Sequence, residues 1–244
     1  MAGVSGFFLD NIYAIIALRL LLGVSIAGLL PMASALITEY YEGETRTRYL
    51  GYIGVANGIG VLVLQTLCGT LAAFGWRYAF LVYLLGLCAL PFVLICLREP
   101  PHSCREKTEC PVSAPSPLKY AGIYSLVFFP ALFMYLVAVN LSYYVGTFEA
   151  AVSPFWIGLL LGIFGLSSAV SGFLFWKFDR RFSSITIGAL IFIFEAVGLL
   201  LIGISENLIL LTAGLILLGF GMGLAMPNGT AWVSKITPPS VLGR

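Results

Sequence analysis

Few side chains in this sequence can do chemistry, and most of them lie where a charge is expensive. Arg19 falls inside an apolar run, about 10 Å in at 1.5 Å per residue, and Glu195 lies midway along another, 185–204. A charge at the centre of a bilayer costs about 2.5–3.5 kcal/mol on insertion scales, so such groups face protein or water and mark pathways for ions and solutes. Glu195 is thus a candidate proton carrier, and Arg19 is either a functional charge or a side chain that snorkels to an interface. Asn140, Tyr143 and Tyr144 share one helix face at i, i+3 and i+4. They read as a substrate contact or as an interfacial aromatic belt. Gln65 is a further candidate substrate contact, and with Asn57 it also suits interhelical hydrogen bonding. Asp179 and Arg180 follow an apolar run as a candidate gating pair, the alternative being an ordinary solvated loop. The single histidine, His102, stands near Cys104 and Cys110, a spacing that fits no standard metal site. No metal, cofactor or catalytic constellation is expected, and the sequence does not read as an enzyme.

The elements that position these groups follow from composition. Of 244 residues, 60% are hydrophobic and 10% charged, against roughly 45–50% and 25% in soluble domains. That leaves too few polar residues to cover a water-facing surface, so the solvent is lipid. Apolar runs at 12–37, 49–74, 77–97, 121–146, 154–176, 185–204 and 207–234 are each long enough for the ~20 residues that a spanning helix needs. Residues 1–9 are apolar but too short to cross, lack the basic start of a signal peptide, and read as the tail of a helix. The net charge of +2 points to no nucleic-acid partner.

Arg46, Arg48, Arg98, Arg105, Lys107, Lys119, Lys177, Arg180, Arg181, Lys235 and Arg244 lie in loops on one side, and only Arg77 lies in a loop on the other. This asymmetry predicts a multi-pass protein of the cell membrane with its N-terminus outside and its C-terminus in the cytoplasm. Residues 98–119, rich in proline, serine and mixed charge, read as a cytoplasmic linker. It divides the chain into 1–97 and 120–244.

Two stretches repeat at an offset of 196 residues: Gly23, Pro31 and Arg48 match Gly219, Pro227 and Arg244, and Ala35 matches Ala231. Internal repeats of this kind mark secondary transporters. Gly23, Gly58, Gly60, Gly219 and Gly223, with Pro31 and Pro227, are candidate helix-packing positions, because small residues let helices approach in lipid.

Several motifs resemble those of the major facilitator superfamily, twelve-helix transporters built from two six-helix halves. RLLLGVSIAGLLP at 19–31 resembles its fourth-helix motif, GYIGVANGIGVLVLQTLCG at 51–69 its glycine-rich fifth helix, GWRYAF at 75–80 the junction into its sixth helix, and KFDRRFSS at 177–184 the loop between its eighth and ninth helices. The resemblance covers essentially the whole chain. It implies an all-α membrane fold running from the end of the third helix to just after the tenth, with helices lacking at both ends. It also implies transport of a small solute by alternating access, as proton-coupled efflux among other modes, with Arg19 facing a central cavity. A seven-helix receptor would share the topology. Against it, the last span carries no deep lysine for retinal, no Asn-Pro pair is followed by a tyrosine, and the repeat has no place there.

Overall fold

The computed structural model describes residues 3–9, 11–28, 32–33, 36–37, 40–41, 43–96, 117–147 and 153–236. Among them the chain is helical, with no strand. The principal helices are α1 (Ile12–Ala27), α2 (Gly43–Phe74), α3 (Leu84–Cys96), α4 (Pro117–Val145), α5 (Pro154–Arg181), α6 (Ser184–Gly203) and α7 (Leu208–Ile236). Helices satisfy every backbone group internally, which lipid requires. Five candidate spans, Gly43–Phe74, Tyr124–Val145, Pro154–Arg181, Ser184–Gly203 and Leu208–Val233, are long and apolar enough to cross a membrane, and Ile12–Ala27 and Trp76–Cys88 are shorter apolar helices. Each of the seven apolar runs therefore contains a helix. Pro31 and most of the 98–119 linker, including His102, Cys104 and Cys110, lie outside the described residues.

Local chemistry sets the helix starts. The Asn11 side chain accepts from the Tyr13 N–H at 2.9 Å, capping α1. The Ser183 hydroxyl accepts from the Thr186 N–H at 3.2 Å, capping α6, and the Asn207 side chain accepts from the Leu210 N–H at 2.9 Å at the start of α7. These are the side chains that answer orphan N–H groups best. Pro154 occupies the first turn of α5, where its missing N–H costs nothing.

The described residues before α1 hold a 3-10 turn, Val4–Phe7. Gly3 and Gly6 press this turn onto Tyr83 and Phe80 so closely that a Cβ would fall 2.5 and 2.1 Å from their rings. One segment departs from the sequence expectation: the run 77–97 is not one α-helix but opens as a 3-10 helix, Trp76–Tyr83. Gly75 precedes it with φ of 152°, a conformation open to glycine and strained for other residues.

α5 lies at the centre. α2 runs antiparallel along it, α7 packs on it as well, and α6 lies along α7. α7 joins both apolar clusters: Leu211, Leu215 and Leu218 pack with Val137, Leu141, Leu160 and Phe164, and Leu224, Ala225 and Ala231 pack with Leu126, Phe175, Ile187 and Ile191. Because lipid is as apolar as leucine, close dispersion contact and interhelical hydrogen bonds hold these helices together. Such bonds include Ser167 of α5 donating to the Ile216 carbonyl of α7 at 2.6 Å and Tyr144 of α4 donating to the Ile202 carbonyl of α6 at 2.7 Å.

Candidate functional site

Glycines bring the backbones of α2 and α5 close together, with Val61, Leu62 and Thr66 set against Gly162 and Gly165. A Cβ on Gly58 would lie 2.4 Å from the Gly165 carbonyl oxygen and 2.5 Å from the Ala169 nitrogen. Likewise Gly51 faces the Gly172 carbonyl at 2.9 Å, Gly69 the Pro154 carbonyl at 2.6 Å and Gly158 the Gln65 carbonyl at 2.5 Å. None of these neighbours is a flexible side chain that could give way. The glycines of α5 were not singled out from the sequence, although Gly158, Gly162, Gly165, Ala169 and Gly172 recur at the three- and four-residue spacing that forms one helix face. Gly60 and Gly23, by contrast, have nothing within 4 Å of a would-be Cβ.

α7 closes on the same region. A Cβ on Gly219 would lie 2.3 Å from the Phe164 carbonyl, and one on Gly223 would lie 2.1 Å from the Ser168 carbonyl. Pro227 stands inside α7 and cannot donate to the Gly223 carbonyl as an ordinary helical residue would. That carbonyl faces Gly54, 3.6 Å from its would-be Cβ. A cavity of about 70 Å³ remains where α2, α5 and α7 meet, lined among others by Gly54, Asn57, Ser168, Met226, Pro227 and Thr230.

At one end of the α2·α5 contact, Arg180 of α5 forms an ion pair with Glu44 in the first turn of α2. The Arg180 guanidinium also lies 5.0 Å from the centre of the Trp176 ring. The sequence paired Arg180 with its neighbour Asp179; the structure adds Glu44 as a partner 136 residues away. Its visible signal was an acidic residue at a helix start, where the dipole favours negative charge.

Arg19 donates to the Tyr83 hydroxyl at 2.6 Å, and its guanidinium lies 4.8 Å from the Phe80 ring centre and 5.5 Å from that of Tyr83. This cation–π arrangement joins α1 to the 3-10 helix, and Arg19 remains exposed. Asn140 donates to the Leu136 carbonyl of its own helix at 2.7 Å, while Tyr143 is 79% exposed. Tyr144 points elsewhere, to the end of α6. Gln65 is half-buried on α2, its carbonyl against Gly158. The candidate polar residues therefore do not converge on one point: Arg19, Asn140 and Glu195 lie on three separate helices with different neighbours.

Glu195 is 1% exposed. It lies against α7 where Gly221 makes room for it, its Cγ only 3.0 Å from a would-be Cβ there. Asn228 is also fully buried, its amide donating to the Ser184 carbonyl at 3.0 Å. Among the described residues no group of three or more His, Cys, Asp or Glu side chains comes together as a metal site.

A family model described as Major Facilitator Superfamily matches residues 1–244. The chain belongs to that superfamily. It is a multi-pass membrane protein of a transporter family, and not an enzyme. The niacin transporter NiaP of Acinetobacter baylyi is similar to it, 31% identical over 97 residues. That stretch is 39% of this chain and 21% of the relative, so the chain matches about a fifth of the relative's length.

Proposed function

We propose that the protein carrying this chain moves a small solute across the cell membrane by alternating access, with bundles drawn from 1–97 and 120–244 rocking against each other on the α2·α5 contact. The observation that carries this is that contact: the antiparallel helices on the two sides of the linker meet closely through glycines, against backbone at Gly51, Gly58, Gly69 and Gly158 and against the side chains of Val61, Leu62 and Thr66 at Gly162 and Gly165. Such a surface lets one rigid body roll on another. The Glu44–Arg180 pair latches one end, the cytoplasmic one by the positive-inside count, and the cavity by Pro227 lies beside the same contact.

The solute is a small aromatic carboxylate of the kind that niacin exemplifies. The relative's name supports this, and so does Arg19, a permanent cation with a planar donor fork held beside the rings of Phe80 and Tyr83. Glu195 carries the coupling proton. Exchange of an inbound proton for an outbound solute, the efflux mode, runs on the same cycle.

The test is uptake of radiolabelled niacin into proteoliposomes holding the complete protein under an imposed pH gradient, with and without a cross-link between Glu44→Cys and Arg180→Cys. Gradient-driven uptake that the cross-link stops and reduction restores is the expected result. Uptake unaffected by the cross-link would remove the rocking contact, and absence of niacin uptake would remove the solute assignment. Labelling of Cys104 and Cys110 by an impermeant thiol reagent only from the cytoplasmic side is the matching expectation for orientation.

A further inference from the structure

Two buried side-chain oxygens lack a hydrogen-bond partner among the described residues, Glu195 Oε2 and Asn228 Oδ1, and both lie on the contact between α6 and α7. Buried polar atoms are nearly always partnered, so each exception needs a physical reason. α6 turns Ser184, Ile187, Gly188, Ile191, Glu195 and Gly198 inward, all of them buried. Asn228 meets the start of that face at Ser184, and Glu195 meets α7 at Gly221, seven residues away, about 10 Å along the helix. Ile187, Ile191 and Leu224 fill the interval and are fully buried.

An amide oxygen can only accept, and a carboxyl oxygen either accepts or holds a proton. Neither has a donor fixed in place, which fits a donor that comes and goes. Among the described residues no other group supplies the need. α6 has no other titratable side chain and α7 has only Lys235. α5 offers Lys177, Asp179, Arg180 and Arg181 at its end, and α4 offers Tyr124, Tyr135, Tyr143 and Tyr144, with Lys119 and Tyr120 earlier in its sequence; no described side chain bonds to Glu195 Oε2.

We infer that the α6·α7 contact is a proton route separate from the cavity at α2, α5 and α7, in which Asn228 positions the water that delivers a proton to Glu195. This rests on the reading of Glu195 as the proton carrier. A hydronium held at Asn228 Oδ1 gives its proton through water to Glu195 Oε2, an O–H bond forms there, and neutral water is left. Ile191 and Leu224 close the route in the arrangement seen, so delivery requires α6 and α7 to part. Asn228 is a positioning residue and takes no proton itself.

The test uses the complete protein in lipid and needs no solute: a rapid change from acid to alkaline buffer, followed by the infrared carboxylic-acid band. In the native protein the band that Glu195→Gln removes should appear and vanish with pH. Asn228→Leu should slow its change by about tenfold or more, the scale of one lost hydrogen bond. Asn228→Ser, which keeps a hydroxyl acceptor, should stay near the native rate, and that guards against a merely structural defect. A native rate in Asn228→Leu, or an equal slowing in Asn228→Ser, overturns the route while leaving Glu195 as carrier. If Glu195→Gln removes no band and leaves pH-driven niacin uptake unchanged, the carrier reading fails and takes the route with it.

Discussion

The two copies of the repeat fare differently. In α7, Gly219, Gly221 and Gly223 each stand within about 3 Å of another helix once a Cβ is imagined, and the helix supplies six residues to the two apolar clusters. In α1, Gly23 has open space around it and no residue is buried. The helix is tied to the rest by Arg19 on Phe80 and Tyr83. The shared glycine position, Gly219 and Gly23, thus serves packing in one copy and is free of it in the other. A motif states what a helix can accept, and the neighbours decide whether the capacity is used.

The largest expected effect tests this directly. Gly223→Ala would drive a methyl into the Ser168 carbonyl and should cost about 1–3 kcal/mol, as overpacking does. Gly23→Ala should be neutral or gain up to about 1 kcal/mol, since alanine is the better helix former. Thermal unfolding of the two variants in the same detergent measures the contrast. Equal losses would show that the glycines of α1 are packed after all.

How far these contacts were legible depends on the kind of signal. The apolar runs located every principal helix, because length and apolarity are local properties. Which face of a helix meets another is not local. α2, α5 and α7 are apolar nearly all round, so the usual polar stripe that marks the outside is lacking. Gly58 and Gly60 looked equivalent in sequence, and only the position of α5 separates them. The Glu44 partner of Arg180 was hidden by 136 intervening residues. The break at Gly75 was missed because aromatic residues at 76–83 suit an α-helix and a 3-10 helix alike. Glu195 was visible as a charge in an apolar run, but the room made for it by Gly221 was not.

An effect of opposite sign is expected at Glu195. Replacing it with methionine removes an unpartnered buried carboxyl and keeps much of the volume, so Glu195→Met should raise stability by about 1–3 kcal/mol. It should also abolish pH-driven niacin accumulation. Unfolding midpoints and proteoliposome uptake on one preparation check both halves. A destabilised variant would mean that the carboxyl is satisfied by a partner the α6·α7 contact conceals.

Arg19 offers the corresponding test in the weakly packed copy. Cation–π contacts of exposed cations are worth about 0.5–1 kcal/mol, so Arg19→Ala should lower stability little, and membrane insertion should not suffer when a charge is removed. Niacin transport should be lost in Arg19→Ala and partly kept in Arg19→Lys, which retains the charge but not the planar fork. Insertion together with transport at the native rate in Arg19→Ala would reduce Arg19 to an anchor against Phe80 and Tyr83.

The smallest expected effect on stability concerns Glu44 and Arg180, whose side chains are 65% and 57% exposed. Water and salt screen such a pair, and exposed ion pairs contribute little to folding. Neither Glu44→Arg nor Arg180→Glu should move the unfolding midpoint measurably. Their consequence lies in the balance between two arrangements of the molecule, because a pair that exists only when the ends of α2 and α5 meet favours that closed arrangement alone. Either reversal places like charges together and should shift the population toward the open form. Spin labels on the two ends should then report a longer mean distance. The double exchange, Glu44→Arg with Arg180→Glu, restores opposite charges and should return the distance to its native value. High salt should reproduce the single reversals weakly, since it screens the native pair within about 10 Å at 0.1 M. If the single reversals leave the distance unchanged, the pair is surface decoration, and the glycine contact alone holds α2 against α5.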